Sequence, residues 1–205
     1  MTAKPAVLNR AQFHTSVARL RDLPVSRAEI AFAGRSNAGK SSAINILTRK
    51  GRLAFTSKTP GRTQLINFFE LDANRYLVDL PGYGYARVPP AVKAQWEALL
   101  SRYLQERAAL AGLVLIMDAR HPLTPLDRQM LDWFLPTGKP VHILLSKSDK
   151  LSGNARAQAL RSVQQALAKH AGVSAQLFSS LSRLGADEAT AKIESWLAPE
   201  VPPLG

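Results

Sequence analysis

Eight residues near the front of the chain, Gly34-Arg35-Ser36-Asn37-Ala38-Gly39-Lys40-Ser41, decide much of its architecture. They fit G-x-x-x-x-G-K-S/T, a phosphate-cradling loop that needs a strand before it and a helix behind it. Glycines let the backbone curl until successive N–H groups point inward at a phosphate. The helix that follows adds the positive end of its dipole. Both flanks are present. Ala28–Ala33 (AEIAFA) reads as a short apolar strand and Ser41–Thr48 as a helix. Lys40 is then expected to reach the β and γ oxygens of a nucleotide, and the Ser41 hydroxyl to bind Mg²⁺.

The rest of the chain alternates in the same way. Strand-like segments fall at Gln64–Leu71, Tyr76–Leu80, Gly112–Met117, Val141–Leu145 and Ala175–Ser179, with an Asp-Ala-Asn turn making a hairpin of the first two. Helical patterns cover Pro90–Arg107, Leu126–Leu135, Asn154–His170 and Asp187–Leu197. Continuous apolar strands alternating with helices predict an α/β fold: a mostly parallel six-stranded sheet with one antiparallel strand and helices on both faces. Residues 28–197 make one domain, preceded by an extension over 1–27 and followed by a Pro-rich tail over 198–205. Trp96 and Trp133 are core candidates. Hydrophobic residues are 46% of the chain, enough to fill a core, and cysteine is absent, which excludes disulfides and thiol chemistry. No apolar run reaches about 18 residues, and the polar N-terminus lacks a signal-peptide pattern. A cytoplasmic protein that does not enter a membrane is expected.

Ligands of such sheets sit beyond the carboxyl ends of the strands, and the remaining motifs fall there. Ser146-Lys147-Ser148-Asp149 follows the VHILL strand and is similar to the N/T-K-x-D loop that reads guanine. A carboxylate at Asp149 accepts from N1–H and the 2-amino group; adenine has neither donor and would leave the carboxylate unpaired. The alkyl stem of Lys147 lies along the base. Phe178-Ser179-Ser180 would add a backbone N–H, that of Ser180, for the guanine O6. Asp79-Leu80-Pro81-Gly82 matches D-x-x-G, with Asp79 holding Mg²⁺ through water and the Gly82 N–H sensing the γ-phosphate. Upstream lies Thr59-Pro60-Gly61-Arg62-Thr63-Gln64, in which Thr63, with Thr59 as its competitor, is the second protein ligand of Mg²⁺ when the loop folds over a γ-phosphate. After Gly82 comes Tyr83, where Ras-like GTPases carry the Gln that orients water, so slow intrinsic hydrolysis is expected.

The net charge is +12, from 27 Lys+Arg against 15 Asp+Glu. Between Ala31 and Phe69 no Asp or Glu occurs, yet Arg35, Lys40, Arg49, Lys50, Arg52, Lys58 and Arg62 do. A nucleotide needs one or two of these; the others either face RNA phosphates or reflect a generally basic surface. Tyr83, Tyr85 and Arg87 either stack on unpaired bases or pack against the Pro89–Pro90 helix start. His121 reads as a loop anchor rather than a catalytic group.

FAGRSNAGKSS, TSKTPGRTQLINFF, LVDLPGYGYA, MDARHPL, SKSDKL and FSSLSRLG, in this order, resemble the TrmE–Era–EngA–EngB–Septin group of P-loop GTPases, and most closely the EngB family of bacterial ribosome-biogenesis proteins. The likeness runs from about Phe13 to Trp196. It implies that Gly34–Ser41, Gly61–Leu65, Asp79–Gly82, Ser146–Asp149 and Phe178–Ser180 contact GTP or GDP, with Ser41 and Thr63 on Mg²⁺. Lys40 and Thr63 would act in hydrolysis. Asn37 is either a K⁺ ligand that supplies charge in the transition state or a loop cap. Ser146 departs from the family's usual Thr but keeps its hydroxyl. The resemblance further implies a monomer acting in assembly of the large ribosomal subunit, with no DNA partner, whose loss impairs division and septation. Two other readings are a GTPase module of a tRNA-modifying or transport system, and a septation protein that binds GTP without turnover.

Overall fold

The computed structural model describes residues 6–54, 65–84 and 90–197. In chain order its elements are β1 (Gln12–Val17), β2 (Ala28–Gly34), α1 (Lys40–Leu47), β3 (Ile66–Asp72), β4 (Arg75–Asp79), α2 (Pro90–Glu106), β5 (Leu110–Asp118), α3 (Pro125–Phe134), β6 (Val141–Ser146), α4 (Gly153–Ala166), β7 (Val173–Leu177) and α5 (Ala186–Leu197). The strands form one sheet in the order β1-β3-β4-β2-β5-β6-β7. Among the described residues it has seven strands, one more than the sequence pattern predicts. The addition is β1, which pairs antiparallel with β3 at the sheet edge. Its polar, mostly exposed side chains give no apolar run. It is held by the β3 ladder and by the Ser16 hydroxyl, which donates to Asn67 Oδ1 at 2.6 Å. β3 runs against all the other strands.

The central strands are buried on both faces, and alternation divides their side chains between two cores. On one side Ala31, Ala33, Leu113, Leu115 and Met117 meet Leu100, Tyr103 and Leu104 of α2 and Met130, Leu131 and Phe134 of α3. On the other, Ile30, Phe32, Val114 and Ile116 meet Ala43, Ile44 and Leu47 of α1 and Ala189, Ile193 and Leu197 of α5. Trp96 and Trp133 are partly buried against the first core. The β3–β4 hairpin turns at Ala73 and Asn74, both at positive φ as a two-residue I′ turn requires. Arg75 closes that turn by gripping the Asp72 carboxylate at 2.6 and 2.7 Å. α4 stops at Ala166, earlier than the sequence pattern suggests, where Leu167 caps it.

One buried charge locks α2 to the sheet. Glu29 of β2 is fully buried. Its carboxylate accepts from the Tyr103 hydroxyl at 2.7 Å and from Arg107 at 2.9 and 2.5 Å. Removing the cation while keeping the carboxylate is expected to cost about 3 kcal/mol. Urea denaturation of Arg107→Met checks this; a loss below about 1 kcal/mol would show that water or Tyr103 alone satisfies Glu29.

Candidate functional site

The loops at the carboxyl ends of β2, β4, β5, β6 and β7 converge on one side of the sheet. Gly34 begins the phosphate loop under β5: a Cβ there would stand 2.9 Å from the Ile116 carbonyl oxygen, so only glycine lets the chain leave the sheet here. Gly39, at φ 97°, turns the loop into α1. Between them Asn37 is also left-handed and its side chain is exposed. The loop is tied to the segment after β4, because Ser36 N–H donates to the Tyr83 carbonyl at 2.7 Å. Gly82 lies beside it; a Cβ there would be 3.6 Å from the Ser36 nitrogen. Lys40 extends from the start of α1 and its ammonium pairs with the Asp79 carboxylate at the end of β4, both side chains being nearly buried. Ser41 lies buried behind the loop. Leu80 and Pro81 are buried, so what they present to the site is backbone.

The base-reading loop is built against this one. Ser146 ends β6 beside Asp118 of β5. Its buried hydroxyl lies 2.5 Å from the Ala38 carbonyl and 3.0 Å from that of Met117. The hydroxyl kept in place of the family's Thr therefore joins the base loop to the phosphate loop. Lys147 adopts φ 55° and donates to the Asn37 carbonyl at 2.5 Å. Ser148 is buried and its hydroxyl donates to the Phe178 carbonyl at 2.9 Å. The ring of Phe178 sits in the core. Next to it the buried Ser179 hydroxyl donates to Asp149 Oδ1 at 2.6 Å and accepts from the N–H groups of Leu181 and Ser182, each at 3.2 Å. That hydroxyl is the main reason the Asp149 carboxyl is held below the usual carboxylate range. Ser180 follows, half-exposed at the lip. Leu65 is half-buried just ahead of β3. Gly61, Arg62, Thr63 and Gln64, with Thr59, Tyr85 and Arg87, lie outside the described residues.

Two groups at the site escape motif reading. Asp118, at the end of β5 in the MDARHPL segment, takes Lys147 Nζ at 3.0 Å and the Arg120 fork at 2.9 and 2.7 Å. Burial raises its carboxyl, but the Arg120 and Lys147 contacts outweigh that and hold it well below the usual range. It thus aims the lysine stem that would lie along the base. An acidic residue ending an apolar strand was the signal available in the sequence. Asp118→Asn is expected to weaken guanine-nucleotide binding about tenfold, through loss of a charge-assisted bond to Lys147; titration with a fluorescent GDP reads it, and unchanged affinity would show that the Asn37 carbonyl alone positions Lys147.

The second is Asp127. Tyr83 is not presented to a partner as an exposed stacking ring; it is buried, and its hydroxyl donates to Asp127 Oδ1 at 2.9 Å. Asp127 is also the capping-box acid of α3, accepting from Thr124 N–H and Oγ1–H at 3.0 and 2.7 Å. Burial, then the Asp127 charge, drives the Tyr83 phenol well above its ordinary pKa. His121 is exposed, and its N–H donates to the Asp118 carbonyl at 3.0 Å.

A phosphate loop bonded to a base-reading loop by Ser146 and Lys147 is the geometry of a guanine-nucleotide site. The 50S ribosome-binding GTPase family matches residues 29–147 of the chain. The chain belongs to this family. Among its relatives, the probable GTP-binding protein EngB of Thiobacillus denitrificans is 80% identical over 200 residues, 98% of this chain and 97% of the relative. That of Paraburkholderia xenovorans is 58% identical over 205 residues, covering 95% and 94%. The crystal structure of a probable GTP-binding protein engB shares the fold at a TM-score of 0.68 and 22% identity, covering 83% of this chain and 98% of that one. The GTPase is therefore an EngB-type GTP-binding protein and a GTP-hydrolysing enzyme. Among its described residues no helix is long and apolar enough to cross a membrane.

Proposed function

We propose that this GTPase is a slowly hydrolysing, nucleotide-gated switch in the cytoplasm that acts, as a monomer, in assembly of the large ribosomal subunit and is needed for normal division and septation. The observation carrying the proposal is the joined pair of loops: Lys147 reaches the Asn37 carbonyl at 2.5 Å while Ser179 holds Asp149 at 2.6 Å. Asp149 and the Ser180 N–H would read guanine. The N–H groups of residues 34–41 and the Lys40 ammonium would hold the phosphates. The residues present suit Mg²⁺, a hard ion that prefers oxygen: the Ser41 hydroxyl would hold it directly and the Asp79 carboxylate through water. When bound, Mg²⁺ neutralises charge on the β and γ oxygens. Lys40 would then exchange Asp79 for phosphate and free that carboxylate for the ion's water. Thr63 would close from the other side as the switch ligand. Asn37, whose side chain is exposed, would be the K⁺ ligand.

Slow turnover follows from Tyr83. With its hydroxyl committed to Asp127, it cannot orient the attacking water, so turnover on the order of 10⁻³ s⁻¹ or slower is expected until a partner intervenes. The family description, 50S ribosome-binding, and the surplus of cations support a ribosomal partner.

The test is co-sedimentation with purified large subunits across a salt series, comparing a non-hydrolysable GTP analogue with GDP. Binding that appears with the analogue, fades with GDP and falls steeply with salt is the expected result. Equal or absent binding in both states overturns the gating.

A further inference from the structure

Beside the base-reading loop lies an open cleft between the end of α1 and the residues after β7. Its lining includes Asn45, Arg49, Lys50, Ser180 and Arg183, three cations and no carboxylate. The cations are exposed, as is the neighbouring Arg52. Arg49, Lys50 and Arg52 belong to an acid-free stretch of whose cations the nucleotide needs one or two, and Arg183 joins them from the far side of the chain. We infer that this cleft docks the sugar–phosphate backbone of RNA, next to the guanine site; the inference rests on the large-subunit reading for the RNA's source.

Three observations argue for a built surface rather than scattered solvated charge. First, the basic segment is fastened. Asn45 on α1 accepts from the N–H groups of Leu53 and Ala54 at 3.0 and 2.8 Å and donates to the Ala54 carbonyl at 2.9 Å. Arg49, Lys50 and Arg52 therefore leave α1 on a short stapled loop, not on a free one. Second, Arg49 and Arg183 face the cleft from opposite sides, each at a positive φ that arginine seldom adopts. Third, the only ion pair these cations make among the described residues is Arg49 with Asp187 at 3.7 Å, and Asp187 is 98% exposed. A pair so exposed holds its arginine weakly and yields it readily to a phosphate. A concave cluster of exposed cations on a fastened backbone suits a strand of regularly spaced phosphates, whereas a lipid surface meets convex or flat faces better. Docking would also join partner and nucleotide, because Ser180 lines the cleft and belongs to the base loop.

The experiment compares three full-length proteins: wild type; a cleft variant, Arg49→Gln, Lys50→Gln and Arg183→Gln; and a control with the same change of charge at exposed remote sites, Arg21→Gln, Arg161→Gln and Lys169→Gln. Glutamine preserves side-chain length and avoids new repulsion, and affinity for fluorescent GDP confirms that the cleft variant is folded. Each is titrated with a labelled single-stranded RNA of about 20 nucleotides, and separately sedimented with large subunits. The cleft variant is expected to lose RNA affinity about tenfold at about 0.1 M salt, with the slope of log affinity against log salt falling by about 2. The control should stay within about threefold of wild type. Equal losses in both variants, no loss in the cleft variant, or no RNA binding by wild type overturns the inference. So does a cleft variant that sediments with large subunits as well as the control. If RNA binding depends on the cleft while no protein sediments with large subunits, the cleft stands and the large-subunit reading falls.

Discussion

Asp149→Asn is expected to lower affinity for guanine nucleotides by about two to three orders of magnitude and to admit xanthine in their place. The Asp149 carboxylate is already oriented, with Oδ1 occupied by the Ser179 hydroxyl at 2.6 Å. In the variant the amide oxygen keeps that bond, so the amide NH₂ is what faces the base. Guanine offers two donors there, N1–H and the 2-amino group, and donor then meets donor. Xanthine carries a carbonyl at C2 and accepts from the amide instead. Two charge-assisted bonds at about 1.5–3 kcal/mol each account for the size of the loss. Competition between GTP and xanthosine triphosphate against a fluorescent nucleotide measures both halves of the effect. Undiminished GTP binding would remove Asp149 from the base contact. A loss for guanine with no gain for xanthine would point to collapse of the loop, and the Ser179→Ala variant would then reproduce it.

Lys40→Met is expected to reduce GTP turnover about a thousandfold, the scale on which loss of a charge at the transferring phosphoryl group acts. A second effect arises from this structure. Lys40 and Asp79 are nearly buried and satisfy one another, so methionine leaves a carboxylate without its cation inside the site. Stability without nucleotide should fall by about 3 kcal/mol. Lys40→Met combined with Asp79→Asn should recover much of that stability and none of the turnover. Single-turnover phosphate release and urea denaturation separate the two effects. A Lys40→Met protein with wild-type turnover would mean that the phosphate loop does not handle the reacting phosphate.

The two loops at the heart of the site could be read from the sequence because their chemistry is local. Gly34 and Gly39 are needed for backbone reasons that hold wherever this turn occurs, and Lys40, Ser41 and Asp149 stand at fixed offsets from them or from a strand end. The central strands could be read for a related reason. A strand covered on both faces must be apolar throughout, and GLVLIM and VHILL are. β1 lacks that property, because an edge strand with one wet face needs little apolar content and takes its place from β3, some fifty residues away in sequence. Tyr83 shows the same limit at the site. Its loop position suggests exposure, yet Asp127, 44 residues further on, draws it inside.

Sequence alone thus determined the sheet-and-helix class, the phosphate loop, the carboxylate proposed to read guanine and the excess of positive charge, each a property of residue type and spacing. Tertiary structure decided which groups pair across those elements. It gave Asp118 to Lys147 and Arg120, Ser146 to the phosphate loop, Asp127 to Tyr83, and Arg49 and Arg183 to one cleft. These pairings follow from distance in space between residues far apart along the chain, and a local pattern carries no information about that distance.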